Sequence, residues 1–479
     1  MITPAEAAEA TQGRWLRLPN AMDGALRGAA FDTRALAGAE IFFALRGERS
    51  DGHAFLQQLG GSTVRLAVVH QPGLPAGFGG AVLQVADTLR ALADMAHFLV
   101  RKHRPFVVAI TGSYGKTTAK EVVAHTLAAR RRVLKSPGSL NNEIGVPITL
   151  LNLDGSQDTC VLEYSARKPG DVDYLSRIAP PDLAVLLAVG HAHIGVFGSR
   201  EAIYRAKGEI FHHLRPGGLA LVNAGDARLR ELAAGHRVLS FGRDVGDFRV
   251  ERLATDPQGR QRFTAVHGDT RLDMQAEFSG AHALYPMLVA WAVARELNVP
   301  DAEVAARAGH GPGQKGRAMR LAAPGGATVM DDSYNASPET VVNLIATLNS
   351  LAEPEKVLVL GHLSELEAGL ERTAALIAPH LAPPLTRCYI QAPATPELFA
   401  RLKEMAAGTD VRQCATQADL IAELRALDRP GVAIGIKGAR SAHMERAVQG
   451  LLGAHIACAL SPCGLLKHCT DCDAMSRHV

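Results

Sequence analysis

The sequence has little of what would mark an exported, membrane-spanning or nucleic-acid-binding protein. Its 479 residues carry 51 Lys and Arg against 48 Asp and Glu, and they include 7 cysteines. So small a net charge over this length argues against a nucleic-acid surface. The scattered cysteines give no disulfide framework for a chain of this size, which fits a reducing compartment. Since the chain has neither an apolar signal core nor an uncharged apolar stretch of about 18 residues, we expect a cytoplasmic location and no membrane insertion.

The stretch T-G-S-Y-G-K-T-T at 111–118 predicts a phosphate-binding loop. It follows the apolar run 106–110 and precedes a helix-like segment, 119–129, so a strand, a loop and a helix follow one another. Glycines let backbone N–H groups face phosphate oxygens, the lysine reaches the outer phosphates, and the first threonine can bind Mg²⁺. Ile110 stands where the general pattern has a further glycine, so the match is to a shortened form. We expect ATP to be bound by Gly112, Ser113, Gly115, Lys116, Thr117 and Thr118.

The length and the hydrophobic pattern predict an α/β protein of several domains, because 479 residues are too many for one core. From about residue 105, β-type runs alternate with helical patterns, which is typical of a mostly parallel sheet with helices on its faces. A second alternation of strand and helix patterns begins near residue 318. We predict a small N-terminal α/β domain (1–97), a central P-loop ATPase-type domain (98–317), a C-terminal Rossmann-like α/β domain (318–455) and a Cys-rich tail (456–479).

The same patterns predict individual elements. Strands are expected over 40–45, 65–69, 106–111, 159–163, 183–189, 219–223, 328–330, 357–360 and 432–436. Helices are expected over 87–97, 119–129 and 339–351. Since proline disturbs a helix interior, we also expect the helix near Pro286 to begin after that residue.

Further polar residues lie near predicted strand ends, where open α/β sheets bind ligands. Asn141 and Asn142 precede an apolar run and suit contacts with phosphate or substrate, although the segment alone indicates only a turn. Glu163 ends a predicted strand and is either a Mg²⁺ ligand or a solvated acid. His191 and His193 have H-x-H spacing, which is compatible with a metal site and with a structural role.

Together these segments resemble the Mur ligase family of ATP-dependent amide ligases of peptidoglycan assembly. The resemblance runs along most of the chain, and its motifs come in the family's order. They are F-D-T-R at 31–34, the run 42–53, the loop at 111–118, N-N-E-I-G-V-P at 141–147, A-H-I-G-V-F-G-S at 192–199, A-K-G-E-I-F at 206–211, D-D-S-Y-N-A at 331–336 and K-G-A-R-S at 437–441.

The resemblance implies a reaction and a set of residues for it. ATP would phosphorylate the carboxylate of a UDP-linked peptide, and an amine, as an amino acid or dipeptide, would attack the acyl phosphate. The pair implied most directly is a UDP-N-acetylmuramoyl-tripeptide and D-alanyl-D-alanine. Two Mg²⁺ ions would offset charge, the first held by Thr117 and Glu163 and the second by His193. The family lysine that matches Lys207 is commonly carbamylated, and a carbamate offers Mg²⁺ anionic oxygens where an ammonium would repel it.

Other roles are implied in the same way. Arg317 would contact the γ-phosphate, and Asp332 would lie near the ribose and the incoming amine. The catalytic set implied is therefore Lys116, Glu163, His193, Lys207 and Arg317. The substrate-binding residues implied are Thr33 and Arg34 for the uridine nucleotide, Asn141 and Asn142, Tyr334 and Asn335 beside Asp332, and Lys437 and Arg440 for the carboxylate of the amino substrate. We expect a monomer.

Three segments depart from the family pattern. Residues 280–286 lack the amides expected near adenine, 164–170 are unusually basic, and 361–367 replace a G-D-M-x-E-L-G run. The catalytic motifs are kept while substrate-facing ones differ. A ligase for another acid and amine therefore stays an alternative, and so does a nucleotide-binding homologue without turnover.

The tail contains four cysteines within a short stretch, Cys458, Cys463, Cys469 and Cys472, with His455, His468 and His478 nearby. Such a cluster suggests zinc or another metal, but only the last pair has C-x-x-C spacing. The alternative is a mobile extension whose thiols are incidental.

Overall fold

The computed structural model describes most of the chain, in two compact units. The described residues are 1–19, 22, 24–47, 50–74, 76–191, 194–256, 260–276, 284–310, 315–364, 366, 369–391, 396–458, 463 and 468–472. The first unit comprises 1–188, 201–240 and 292–299, and the second comprises 189–200, 241–291 and 300–479.

The first unit begins with a five-stranded sheet of order β1-β5-β4-β3-β2, in which only β1 is antiparallel to its neighbour. Its elements are α1 (Pro4–Thr11), β1 (Arg14–Arg17), β2 (Ala29–Ala30), β3 (Ile41–Phe43), a 3₁₀ segment (Gly52–Leu59), β4 (Leu66–Val69), β5 (Ala81–Gln84) and α2 (Thr88–His103). The Asp87 carboxylate caps α2 by accepting from the N–H groups of Leu89 and Arg90. The helix continues beyond the predicted end at 97. The basic residues of its last turn interact favourably with the negative end of the helix dipole.

A six-stranded sheet of order β11-β10-β9-β6-β8-β7 follows, and its strands from β10 to β7 are parallel. The elements in this part of the chain are β6 (Phe106–Thr111), α3 (Lys116–Leu127), β7 (Val133–Lys135), α4 (Gly145–Leu150), β8 (Thr159–Glu163), α5 (Asp171–Ile178), β9 (Leu183–Leu186), α6 (Ile194–Phe197), α7 (Arg200–Gly208), β10 (Leu219–Asn223), α8 (Ala227–Leu232) and β11 (Arg237–Phe241). Strands β6, β8 and β10 have their predicted bounds, whereas β9 ends before 189.

Helix α3 begins at Lys116, not at 119 as predicted. Gly115 precedes it with φ 81°, a left-handed backbone that glycine adopts without strain. The lysine and the two threonines of the phosphate-binding loop therefore form the first helical turn. Because N–H groups of a first turn have no partner within their own helix, this difference strengthens the case for a phosphate ligand.

The second unit contains an antiparallel sheet of order β12-β13-β14 and a six-stranded sheet of order β15-β16-β20-β17-β18-β19, parallel except for β15. In chain order, the helices and strands after β11 are β12 (Arg249–Thr255), β13 (Gln261–His267), β14 (Thr270–Ala276), α9 (Leu284–Glu296), α10 (Asp301–Arg307), β15 (Met319–Ala322), β16 (Thr328–Asp332), α11 (Pro338–Ser350), β17 (Glu355–Leu360), α12 (Leu370–Ile377), β18 (Leu385–Gln391), α13 (Pro396–Met405), β19 (Asp410–Cys414), α14 (Gln417–Ala426), β20 (Val432–Lys437) and α15 (Glu445–Leu451).

Helix α9 corrects one prediction. It begins at Leu284, before Pro286. The expected start after the proline was wrong because a proline in the first turn loses no helical hydrogen bond. No helix in the described part of the chain combines the length and the hydrophobicity needed to cross a bilayer.

The cysteines are free thiols in the structure. Burial raises the pKa of Cys160 in β8 and of Cys388 in β18 to about 12. In the tail, Cys458 and Cys469 are also buried. These two tail residues are therefore packed against protein rather than exposed to solvent.

Candidate active site

Contacts at residues 111 and 112 hold the phosphate-binding loop in place where it leaves β6. The Thr111 hydroxyl donates to the backbone oxygen of Tyr164 at 2.8 Å. Gly112 follows with φ 155°, and a Cβ there would lie 3.1 Å from the Leu187 Cβ and 3.3 Å from the Ala188 nitrogen. A larger residue would have to push this neighbouring segment away, so the close approach requires glycine.

Two lysines converge on this loop. The backbone oxygen of Gly112 accepts from Lys116 Nζ at 2.8 Å and from Lys207 Nζ at 3.1 Å. Lys207 comes from α7 and is only 2% exposed. The fold therefore joins A-K-G-E-I-F to the phosphate-binding loop, although the two motifs are far apart in sequence.

Glu163 lies beside the loop because β8 pairs with β6, with Ile110 opposite Glu163. The side chain is 1% exposed. Its Oε1 accepts from Asn141 Nδ2 at 2.8 Å, while its Oε2 is buried without a hydrogen-bond partner. An unpartnered buried carboxylate oxygen is unfavourable, so the position fits a cation ligand.

The two asparagines after β7, Asn141 and Asn142, make different contacts. Asn141 contacts Glu163, as described above. Asn142 Oδ1 accepts from the Gly145 N–H at 2.9 Å, at the start of α4. Asn141 is thus placed at the site, and Asn142 holds the helix that follows it.

In the second unit, Asp332 ends β16 and Lys437 ends the adjacent strand β20. Their side chains form an ion pair, and Lys437 is buried. The second oxygen of Asp332, Oδ1, accepts from the Ala318 N–H at 3.2 Å. A carboxylate and an ammonium are thereby fixed at the carboxyl edge of a parallel sheet, where α/β folds bind ligands.

Tyr334 lies between two arginines of this unit. The Arg317 guanidinium carbon is 4.0 Å from the centre of the Tyr334 ring and that of Arg440 is 5.9 Å from it. Arg440 also bonds Glu445 Oε1 at 2.6 Å. The exposed Asn335 accepts from the Ser364 hydroxyl at 3.1 Å. Two cationic groups therefore flank one aromatic face.

The residues expected to hold uridine lie in the first sheet region. The Thr33 hydroxyl donates to Gln58 Oε1 at 2.6 Å. Arg34 is exposed and forms a two-pronged bond with Asp32, which lowers the pKa of that carboxyl. Thr33 is thus partly exposed and Arg34 exposed, each with a polar side-chain partner in the same region.

The predicted residues thus fall into separate groups, each within its own unit. The first unit gathers the loop, Asn141, Glu163 and Lys207, and the second gathers Arg317, Asp332, Tyr334, Lys437 and Arg440. His193 and positions 280–283, where the family pattern has amides near adenine, lie outside the described residues.

His191 is held by hydrogen bonds to two neighbouring side chains. Its backbone N–H and Nδ1 bond Glu339 Oε1 at 3.2 and 3.0 Å, and Arg372 bonds Nε2 at 2.8 Å. With both ring nitrogens engaged, His191 fits the structural alternative for the H-x-H pair.

Sequence reasoning missed Lys120, which follows the phosphate-binding loop in α3. This fully buried lysine donates through Nζ to the backbone oxygens of Ser136 at 2.7 Å and Gly138 at 2.5 Å. Ser136 Oγ in turn accepts from the Glu163 N–H at 3.4 Å. Lys120 therefore positions the segment that carries Asn141. In sequence, a lysine on a helix usually indicates a solvent face, so no local signal identified it.

Replacing Lys120 by methionine should lower kcat by roughly 10- to 100-fold, as expected for a residue that orients the groups in a site. It should also reduce stability by about 1–3 kcal/mol, because the buried backbone oxygen of Ser136 and the partly buried one of Gly138 lose their donor. Steady-state kinetics and thermal unfolding check both effects, with Lys102→Met, which removes an exposed lysine, as a surface control. Loss of stability with unchanged kcat would limit Lys120 to a structural role.

Comparisons with known proteins identify the family of the chain. Family models match residues 110–294 as the Mur ligase middle domain and 316–440 as the Mur ligase, glutamate ligase domain. The Bacillus subtilis protein named UDP-N-acetylmuramoyl-tripeptide–D-alanyl-D-alanine ligase is 33% identical, over 73% of this chain and 76% of the relative.

Solved structures are similar over nearly the whole chain. MurF from Acinetobacter baumannii has a TM-score of 0.85 and 30% identity, covering 95% of this chain and 99% of that one. MurF ligase from Thermotoga maritima in complex with ADP has a TM-score of 0.78 and 26% identity, covering 89% and 97%.

The fold and the phosphate-binding loop, with these matches, define an ATP-dependent ligase. The chain belongs to the Mur ligase family. The predicted family and three-domain α/β fold class are confirmed, and so is ATP-dependent ligation in peptidoglycan synthesis as the function of the family. The domain boundaries and the roles of individual residues stay predictions.

Proposed function

We propose that this ligase joins D-alanyl-D-alanine to a UDP-N-acetylmuramoyl-tripeptide in the cytoplasm, acting as a monomer. The relatives named for this reaction support the substrate pair. The observation that carries the chemistry is the buried Glu163 carboxylate, with one unpartnered oxygen, beside the phosphate-binding loop.

The proposed reaction has two steps. The terminal carboxylate of the peptide attacks the γ-phosphorus of ATP, which releases ADP and leaves an acyl phosphate. The amine of the dipeptide then attacks the acyl carbon, and phosphate leaves as the amide bond forms and the amine loses a proton. Lys116 and the N–H groups at the start of α3 orient the ATP phosphates and stabilise the negative charge on the transferred group.

The residues near Glu163 fit Mg²⁺, which prefers oxygen ligands. We assign Thr117, Glu163, His193 and a carbamylated Lys207 as the groups that would hold two ions. When bound, Mg²⁺ offsets the negative charge of ATP and of the substrate carboxylate. A carbamate on Lys207 keeps its N–H for the Gly112 oxygen and replaces a buried cation by an anionic ligand.

The second unit would handle the amino substrate. Lys437 and Arg440 supply positive charge for its carboxylate, with Tyr334 and Asn335 at the same edge. Asp332 would lie near the ribose and the incoming amine, and Arg317 would contact the γ-phosphate. In the first unit, Thr33 and Arg34 would bind the uridine nucleotide, and Asn141 and Asn142 would border the phosphates and the acid substrate.

A second substrate pair is favoured by one observation. Arg167 and Lys168 are exposed directly after β8, where the chain is more basic than the family pattern. Their charges would suit an acid that carries a further anionic group. A ligase for such an acid and another amine is therefore the alternative to the tripeptide reaction.

The deciding experiment offers Mg-ATP with UDP-N-acetylmuramoyl-tripeptide and D-alanyl-D-alanine, and measures the pentapeptide product by mass and the released phosphate. We expect both, in equal amounts, and neither when the dipeptide is omitted. Phosphate release with a different acid and amine, without pentapeptide from the first pair, would replace the proposed substrates and keep the ligase chemistry.

A further inference from the structure

A buried group of His443, Glu445 and Cys469 lies in the second unit, where Glu445 contacts Arg440 but no member of the group is itself assigned to ATP or substrate. The three side chains can each offer one ligand atom, and these atoms lie within 4.8 Å of one another. The residues are 3%, 1% and 4% exposed. Cys469 belongs to the Cys-rich tail, whereas His443 and Glu445 border α15.

The distances within the group match a tetrahedral zinc site. Cys469 Sγ is 3.3 Å from His443 Nδ1, and His443 Nδ1 is 3.4 Å from Glu445 Oε1. Zinc bonds of about 2.3 Å to sulfur and about 2.0 Å to nitrogen and oxygen give tetrahedral edges of roughly 3.5 Å for S···N and 3.3 Å for N···O. Both of these observed separations fit the edges of a tetrahedral site.

Neighbouring groups are compatible with bound zinc. Glu445 Oε1 accepts from Arg440 at 2.6 Å and from the Cys469 N–H at 3.0 Å, while Oε2 is buried without a partner. Arg446 Nε donates to Cys469 Sγ at 3.2 Å. A donor to sulfur stabilises a metal-bound thiolate, and the free oxygen gives the carboxylate a second means of binding.

We propose that His443, Glu445 and Cys469 form a structural zinc site that fastens the C-terminal tail to the C-terminal sheet domain. The thiolate and the carboxylate together balance the charge of Zn²⁺. The fourth position would be taken by water.

The direct test uses the full chain, stripped of metal with a chelator and then loaded with zinc in excess Mg²⁺. Elemental analysis after dialysis should find about one zinc per chain. Loading with Co²⁺ should give a thiolate-to-cobalt charge-transfer band. We expect Cys469→Ser and His443→Ala each to abolish the band and to lower zinc affinity at least tenfold.

Two more variants distinguish a loss of zinc binding from a loss of the fold. Glu445→Gln keeps the shape of the side chain and should weaken zinc binding while circular dichroism stays unchanged. Cys463→Ser removes a half-buried tail thiol outside the group and should retain the zinc. The proposal fails if wild-type protein retains no zinc, if Cys469→Ser keeps the cobalt band, or if Cys463→Ser alone abolishes it.

Discussion

Replacement of Lys207 by alanine is expected to abolish ligation, with kcat reduced on the order of 10³-fold or more, equivalent to about 4 kcal/mol of activation free energy. Lys207 is buried and reaches the same Gly112 oxygen as Lys116, so its terminal group lies at the phosphate-binding loop. If that group is a carbamate, alanine removes two anionic oxygens from the site. Added bicarbonate or a short carboxylate such as acetate should then restore part of the activity.

Recovery of activity with an added carboxylate would distinguish the loss of a metal ligand from a damaged fold. Thermal unfolding of Lys207→Ala should show a folded protein. Lys102→Ala, which removes a surface ion pair with Glu6 and a hydrogen bond to the Met1 backbone oxygen, should retain activity. A further variant, Lys207→Met, should be as inactive as Lys207→Ala but should respond less to the carboxylate, because its side chain fills the space. Near-normal turnover in Lys207→Ala would refute the carbamate.

Replacement of Glu163 by glutamine should reduce kcat by about 10²- to 10³-fold, with little loss of stability. The amide keeps the size of the side chain and can still accept from Asn141 through its oxygen. What it loses is the negative charge of a buried oxygen that has no protein partner. Because a neutral amide binds Mg²⁺ poorly, the Mg²⁺ concentration for half-maximal activity should rise as well.

An exposed acid of the same unit provides the matched control. Glu231→Gln removes a carboxylate at the surface, where it pairs with Arg228, and should leave both kcat and the Mg²⁺ requirement unchanged. If Glu163→Gln lowers the unfolding temperature sharply and leaves the Mg²⁺ dependence unchanged, Glu163 supports the sheet and does not bind the metal.

The parts of the fold that the sequence predicted are those decided by local pattern. Strand β8, with every residue buried and a carboxylate at its end, has its predicted bounds. The start of α3 was missed because it depends on the positive φ of Gly115, which sequence periodicity does not report. The start of α9 was missed because a proline is compatible with the first helical turn.

For the candidate site, motif order predicted the residues but not their contacts. The shared Gly112 oxygen joins two lysines that are separated in sequence by strands β7, β8 and β9, and only the folded chain brings them together. Lys120 carries no local sign of burial, because its partners Ser136 and Gly138 come from a later segment. Long-range polar contacts of this kind require the tertiary structure.

The distribution of thiols has a practical consequence for labelling the native enzyme. Cys160, Cys388 and Cys414 are buried in strands, and a protonated, inaccessible thiol reacts slowly with maleimides. Modification of the folded protein should therefore concentrate on Cys463 and Cys472, which are partly exposed. A fluorophore attached there would follow the tail during turnover without modifying any residue assigned to ATP or substrate.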